Sequence, residues 1–386
     1  MPQMEREQPA GRIPGQGGAA RDVGIRTSEG KLTRVAIDAQ STVGVRSGIG
    51  QYTARLLEAA RGSDCFDIVP LTWGKNPPMR LDRRLRWQQM EVPWRAGRAR
   101  ARILHVPGFD APWLKPCPVV LTVHDLIGML LPEDLPPASH FYWSRWLPAS
   151  VRRADRVITD SKHSRDDVVR LLGIPPERIE VIPLGVDVQF SPMRNRLDEV
   201  DAVRRRLNLP PTFILFVGNI EPRKGLDTLV DAFSRLVADK PVHLVIAGAA
   251  GWYAGRLGDQ IRALGLQGRV HAIGYVADED LPAVFSAATL FAYPSRYEGF
   301  GLPPLEAMAC GVPVVCSNAA SLPEVVGDAA ITVPPDDVAA LGEALRRVLD
   351  DEELRCLMRE RGLRRASTFT WQETARRTLA VYGSLL

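Results

Sequence analysis

No stretch of the chain approaches the ~18 consecutive apolar residues that a membrane-spanning helix requires. The N-terminus also lacks the apolar core of a signal peptide, so the expected location is the cytoplasm. Cysteine is scarce: there are five (65, 117, 310, 316 and 356), an odd number, with no C-x-x-C and no histidine at metal-ligand spacing. That argues against a disulfide framework or a zinc module and fits a reducing compartment. Residues 1–31 have no aromatic and six glycines, too little apolar surface to offset the entropy of ordering, and read as a disordered tail. Charge of one sign is lacking as well. Lys and Arg number 49 against 45 Asp and Glu, a net +4, too small for a polyanion binder unless it is unevenly placed.

What is present is an ordinary globular composition in a long chain. At 386 residues the protein exceeds the ~250–300 residues at which single cores stop growing, so two domains are expected. From Thr33 onward, short apolar runs alternate with segments of helical spacing: RVAIDA (34–39), ILHVP (103–107), VVLTV (119–123), RVITD (156–160) and RIEVI (178–182). After a charged joint the alternation restarts with FILFVG (213–218), VHLVIAG (242–248), RVHAIG (269–274), TLFAY (289–293), PVVCS (313–317) and AITV (330–333). Nearly continuous apolar runs belong to strands covered on both faces. The fold class is therefore α/β, with two doubly wound domains. The boundaries fall at 32–190 and 191–369. Residues 370–386 form a last helix, opened by the capping box Thr370-x-x-Glu373 and striped by Ala375, Leu379 and Tyr382, which needs a partner surface.

The charge is in fact uneven. Between Arg80 and Arg102 stand eight arginines (80, 83, 84, 86, 95, 98, 100, 102) against Asp82 and Glu91, with Trp87 and Trp94 interleaved. A second stretch, Phe141, Tyr142, Trp143, Arg145, Trp146, Arg152 and Arg153, has the same chemistry. Two readings stay open: solvated arginines around partly buried tryptophans, or a face that rests on an anionic membrane surface. Nucleic acid is not expected, for want of a recognition motif.

In open α/β sheets ligands bind beyond the carboxyl ends of strands, which selects four places. Ser47-Gly48-Ile49-Gly50-Gln51-Tyr52 follows the first strand and leads into a helix, where glycines let backbone N–H groups approach an anion. His124-Asp125 follows VVLTV. Asn219-Ile220-Glu221-Pro222-Arg223-Lys224-Gly225 follows FILFVG, which ends in Gly218. An adjacent guanidinium and ammonium there suit a diphosphate. Tyr297-Glu298-Gly299-Phe300-Gly301-Leu302-Pro303-Pro304-Leu305-Glu306 follows TLFAYPS, with two carboxylates eight positions apart around a proline-delimited helix start.

These segments, in this order and joined by S-L-P-E-V-V-G-D at 321–328, resemble the family 4 retaining glycosyltransferases of the GT-B fold over residues 33–386. The resemblance implies two Rossmann-like domains facing a cleft, with the last helix crossing back to the first domain. It implies that Arg223 and Lys224 bind the donor diphosphate, Glu306 the ribose and Glu298 the donor sugar. Backbone of Phe300, Gly301 and Leu302 would reach sugar or phosphate, and that around Val276 the base. Gly48 and Gly50 would close over the phosphates with Gly218 beside them. His124 would contact the sugar near the reacting carbon, while Tyr52 and Asp125 would face the acceptor.

Departure of a diphosphate leaves negative charge, which fixed cations and N–H dipoles stabilise. Neither a divalent metal nor a cofactor is expected to do this work; the nucleotide-sugar is a substrate. The motifs most resemble bacterial mannosyltransferases of surface-polysaccharide assembly, which points to GDP-mannose and a saccharide or lipid-linked acceptor. A UDP- or ADP-sugar donor, a sugar-nucleotide epimerase and a noncatalytic nucleotide-sugar-binding protein are the alternatives.

Overall fold

The structure is a computed structural model that describes residues 32–44, 48–74, 81–108, 110–131, 140–193 and 195–386. The expected tail 1–31, Ser47 and Arg80 lie outside the described residues. The first sheet comprises β1 (Thr33–Asp38), β2 (Phe66–Leu71), β3 (Ile103–Val106), β4 (Val119–Val123), β5 (Arg156–Thr159) and β6 (Ile179–Val181), all parallel, in the order β2-β1-β3-β4-β5-β6. The second comprises β7 (Phe213–Val217), β8 (His243–Ala247), β9 (Val270–Gly274), β10 (Leu290–Tyr293), β11 (Val314–Ser317) and β12 (Ile331–Val333), also parallel, in the order β12-β11-β10-β7-β8-β9. Chain direction around each sheet reverses once, between β1 and β3 and between β7 and β10. Those two reversals open the crevices in which ligands of such sheets lie.

Eleven of the strands fall on the apolar runs read from the sequence, because helices cover both faces and leave β3, β4, β10 and β11 wholly buried. The twelfth, β2, was not apparent. It is an edge strand whose Asp67 and Pro70 interrupt the apolar run, and an edge tolerates both because one side needs no ladder bond. Among the described residues no helix is long and apolar enough to cross a membrane.

The last helix, Trp371–Gly383, starts where expected. Thr370 caps it by accepting the N–H of Glu373 at 3.2 Å, while the Glu373 carboxylate pairs with Arg376. Its stripe finds its partner in the first domain: Val381 and Tyr382 pack with Val35, Ile37, Ile103, Val120 and Ile158 on one face of that sheet. Trp371 meets Tyr52 of the helix Gly48–Ala59. Burial of each large side chain here contributes roughly 1.5–3 kcal/mol, so the helix ties the end of the chain to its beginning.

Candidate functional site

The second sheet's crevice is built by the segments after β7 and β10. After Val217 the backbone of Gly218 comes so close to Gly248 that a side chain on Gly248 would collide with the Gly218 carbonyl. One tight helical turn, Pro222–Lys224, is then stopped by Gly225 in the left-handed region (φ 66°), and the helix Leu226–Leu236 follows. This turn puts Arg223 and Lys224 against the loop after β10. Lys224 is buried; its Nζ lies 2.6 Å from the Tyr293 hydroxyl and 2.6 Å from Glu298 Oε1.

The same Glu298 oxygen accepts from Ser295 Oγ at 2.6 Å, Tyr293 Oη at 3.0 Å and Arg223 Nη1 at 3.3 Å. Arg223 Nε also reaches Glu221 at 3.0 Å. Burial pushes the Glu298 carboxyl up, but Lys224 and Arg223 outweigh it and hold the group below its ordinary value. Burial likewise pulls the Lys224 ammonium down, and Glu298 only partly restores it. Oε2 of Glu298 has no hydrogen bond among the described residues.

Glu306 stands apart from this cluster, on the helix Leu302–Ala309 entered through Gly301 (φ 109°). Burial, and secondarily the charge of Asp278, pushes its carboxyl up to about 8. Pro303 and Pro304 leave only Leu302 and Leu305 with N–H groups among the first four helical residues, so this helix end offers fewer donors than its position suggests. The Phe300 side chain is buried against Phe369, and Val276 is buried in the turn after β9.

His124 emerges from β4 of the facing domain. Its Nδ1 lies 2.7 Å from Asp160 Oδ2, and Asp160 occupies the equivalent place after β5. Both His124 Nε2 and Asp160 Oδ1 are buried without a hydrogen-bond partner among the described residues. Burial lowers the basicity of the imidazole, but Asp160, and to a smaller degree Asp125, raise it above its ordinary value. Asp125 accepts the Ile127 N–H at 3.1 Å; burial raises its carboxyl, opposed by Arg223 across the cleft.

Tyr52 is not placed to meet an acceptor. Its ring is buried edge-on to His124 at 4.8 Å and its hydroxyl lies 3.2 Å from Thr122 Oγ1, so it supports the imidazole from behind. The chain of polar contacts continues from Thr122 to His105 Nε2 at 2.8 Å and from His105 Nδ1 to the Tyr382 hydroxyl at 2.6 Å. Burial drives His105 down to about 3, so it is neutral.

The two halves of the cleft touch. A side chain at Gly299 would overlap the His124 carbonyl and Asp125. Ser164 Oγ lies 3.0 Å from the carbonyls of both His124 and Gly299, and the Tyr297 hydroxyl donates to Asp167 at 2.7 Å. The Glu324 carboxylate accepts the N–H groups of Lys162 (3.0 Å) and His163 (2.9 Å) in the first turn of the helix Lys162–Leu172. Gln51 reaches Asp278 at 2.5 Å, which brings the Gly48–Gly50 helix start opposite the turn of Val276. Beside Arg223 a cavity of about 270 Å³ opens between Ile127, Gly128, Leu131 and Trp252.

The structure thus gathers Arg223, Lys224, Glu298, His124 and Asp125 in one group. Gly48, Gly50, Val276 and Glu306 form a second around Asp278. The chain does contain one Asp-x-Asp, Asp278-Glu279-Asp280, a sequence feature that bears on the expectation of no metal. Its carboxylates are engaged separately, Asp278 by Gln51 and Asp280 by Arg206. Among the described residues no three His, Cys, Asp or Glu side chains come together at metal-ligand distance. Asp160, Tyr293 and Ser295 were missed from sequence. Asp160 could have been found by the strand-end rule that selected His124, and Tyr293 closes an apolar run that reads as core alone.

Residues 199–365 match the family model for group 1 glycosyl transferases and residues 50–190 that for glycosyltransferase family 4. The chain is 36% identical to the O-antigen chain mannosyltransferase B of Escherichia coli over 285 residues, 73% of this chain and 74% of that one. It is 35% identical over 282 residues to the MMP alpha-(1->4)-mannosyltransferase of Mycolicibacterium hassiacum, 69% of this chain and 65% of that one. The fold superposes on Anabaena HepE in its complex with UDP-glucose with a TM-score of 0.73 at 20% identity, covering 92% of this chain and all of that one.

Proposed function

The chain belongs to the family 4, group 1 glycosyltransferases, and from that premise we propose that it transfers an α-mannosyl group from GDP-mannose, with retention, to a saccharide or lipid-linked saccharide of a cell-surface polysaccharide. The observation that carries the reading is the single Glu298 oxygen held by Arg223, Lys224, Tyr293 and Ser295 at the β7–β10 reversal, facing His124. Two mannosyltransferases among the relatives support the sugar, and the resemblance of the motifs supports the base.

Arg223 and Lys224 supply fixed positive charge where the diphosphate departs, and its developing negative charge is stabilised more in the transition state than in the ground state. Glu298, immobilised through Oε1, keeps Oε2 to accept hydroxyls of the donor sugar. Asp160 raises the basicity of His124 and so favours its protonated form, in which Nε2 is a hydrogen-bond donor to sugar or phosphate and not a base. The acceptor proton then passes to the leaving phosphate on the same face, which suits retention. Glu306 takes the ribose hydroxyls. No step calls on a metal.

Slow hydrolysis of UDP-, GDP- and ADP-sugars by the purified protein tests the donor. GDP-mannose turning over fastest, with full activity in EDTA, supports the reading. Preference for a UDP-sugar overturns the donor, and loss of activity in EDTA restored by Mg²⁺ or Mn²⁺ overturns the metal-free route. Appearance of an epimer from nucleotide-sugar alone replaces transfer by isomerisation.

A further inference from the structure

Trp252 is 65% exposed, and neither the core nor the donor site makes use of its ring. Its place is set by backbone contact. Beyond β8 the segment 248–251 runs directly against 218–220. The Ile220 N–H donates to the Ala249 carbonyl at 3.1 Å, and a side chain on Gly251 would overlap the Ile220 carbonyl, as one on Gly248 would overlap that of Gly218. Two segments packed without intervening side chains hold each other in register, so the indole that follows Gly251 is delivered to the turn Pro222–Lys224. The neighbouring Tyr253 is buried and meets the indole in a T-shaped contact, ring centres 5.9 Å apart.

Trp252 forms one wall of the cavity of about 270 Å³ beside Arg223, opposite Ile127 and Leu131 of the first domain. The first-domain wall is fixed at both ends: Asp125 accepts the Ile127 N–H at 3.1 Å, and Gly128 packs so closely on the Trp143 ring that a side chain would not fit. Glu221 supplies a polar edge. Its Oε2 is held by Arg223 Nε at 3.0 Å, whereas among the described residues Oε1 meets only the Asn219 amide, at 3.5 Å, and so has room to accept a stronger bond. The volume lies just below the ~300–1,000 Å³ of pockets that enclose drug-sized ligands, enough for one sugar ring and not for a chain. Lys224, His124, Glu298 and Glu306 are not among its described lining residues, so the cavity joins the donor site through Arg223.

We infer that this cavity is the acceptor subsite, in which the terminal pyranose of the acceptor lays its C–H face on Trp252 while Glu221 Oε1 accepts one of its hydroxyls. A pyranose has an apolar face and a polar rim, and an indole bordered by a carboxylate matches both. The assignment rests on the same-face transfer proposed above. In that route the acceptor oxygen bonds to the anomeric carbon, the sugar–phosphate bond breaks with its electron pair going to the phosphate, and the phosphate takes the hydroxyl proton. The acceptor must therefore lie alongside the leaving diphosphate, and a cavity that shares Arg223 with the diphosphate site meets that requirement. A nucleobase also stacks on an indole, but the base is expected at the turn of Val276, after β9, and not at the segment after β8.

Saturation-transfer NMR of the full chain with the methyl α-glycosides of mannose, glucose, galactose and N-acetylglucosamine tests this without turnover, which separates a failure here from a failure of the proposed activity. At least one glycoside should bind, with saturation strongest at the C–H protons of one ring face. Trp252→Ala should weaken that binding about tenfold or more, as truncation of a central aromatic anchor does, and Trp252→Phe should keep most of it. Melting temperature should be the same in all three proteins, as should affinity for GDP, or for UDP where the hydrolysis screen selects it. Binding of none of the glycosides, or equal binding by the wild type and Trp252→Ala, would overturn the inference. So would a loss of nucleotide affinity in Trp252→Ala, which would give the indole to the donor.

Discussion

The hydroxyl of Tyr382, on the last helix, lies 2.6 Å from Nδ1 of His105 in the first sheet. Both are wholly buried, and the contact begins a line of hydrogen bonds through Thr122 to Tyr52, whose ring braces His124. A neutral imidazole has one N–H and one lone pair, so both ends of His105 are satisfied only when both hydroxyls are present. Tyr382→Phe should leave one buried ring nitrogen unpaired at a cost of about 1–3 kcal/mol, read as a lower melting temperature. An unchanged melting temperature would show that the contact contributes nothing.

Arg223→Ala should lower kcat/KM about 10- to 150-fold with little loss of stability, since its guanidinium is partly open and a charge-assisted hydrogen bond contributes roughly 1.5–3 kcal/mol. Lys224→Ala is a different case. It leaves the buried Glu298 carboxylate without its nearest cation, and breaking a buried pair typically costs about 3–5 kcal/mol. Steady-state kinetics and thermal unfolding of both variants check the contrast. Near-normal kinetics in Arg223→Ala would remove it from the site.

Glu306 gives a pH signature. Its carboxyl, pushed up to about 8, binds its proton more tightly in the folded chain than in the unfolded one. The stability it contributes is therefore complete below about pH 4.5 and is lost as pH rises through about 8. Relative to Glu306→Gln, the wild type should lose roughly 1–2 kcal/mol between pH 6 and pH 8 for a side chain that is not fully enclosed. Parallel stability curves for the two proteins over that interval would contradict the burial of this carboxyl.

Gly299 sets the closeness of the two domains. Gly299→Ala places a methyl against the His124 carbonyl and should part the cleft, lowering kcat while the second domain keeps its fold. Small-angle scattering and kinetics read this; unchanged values of both would mean that the contact is dispensable.

Strand ends, and not tertiary contacts, are what the sequence made legible. Arg223, Lys224, Glu298 and His124 were found because each follows an apolar run that stands out alone. The sequence did not show that one Glu298 oxygen collects all the donors, because Tyr293 and Ser295 look like core and turn. The acceptor role of Tyr52 came from the resemblance alone, and nothing in the sequence signalled that Thr122 and Trp371 would close over its ring. Edge strand β2 escaped because an edge has no need of a continuous apolar run, and the latch of Glu324 on the helix Lys162–Leu172 spans more than 160 residues.

The central claim, same-face transfer with His124 as a hydrogen-bond donor and not a base, is tested most directly by the anomeric configuration of the product. GDP-mannose carries an α-linked sugar, so retention requires an α-mannoside, seen by NMR in the one-bond carbon–proton coupling at the anomeric centre. His124→Ala should slow its formation and leave the anomer unchanged. A β-mannoside from the wild-type enzyme would contradict the account and make His124, oriented by Asp160, the general base of an inverting reaction.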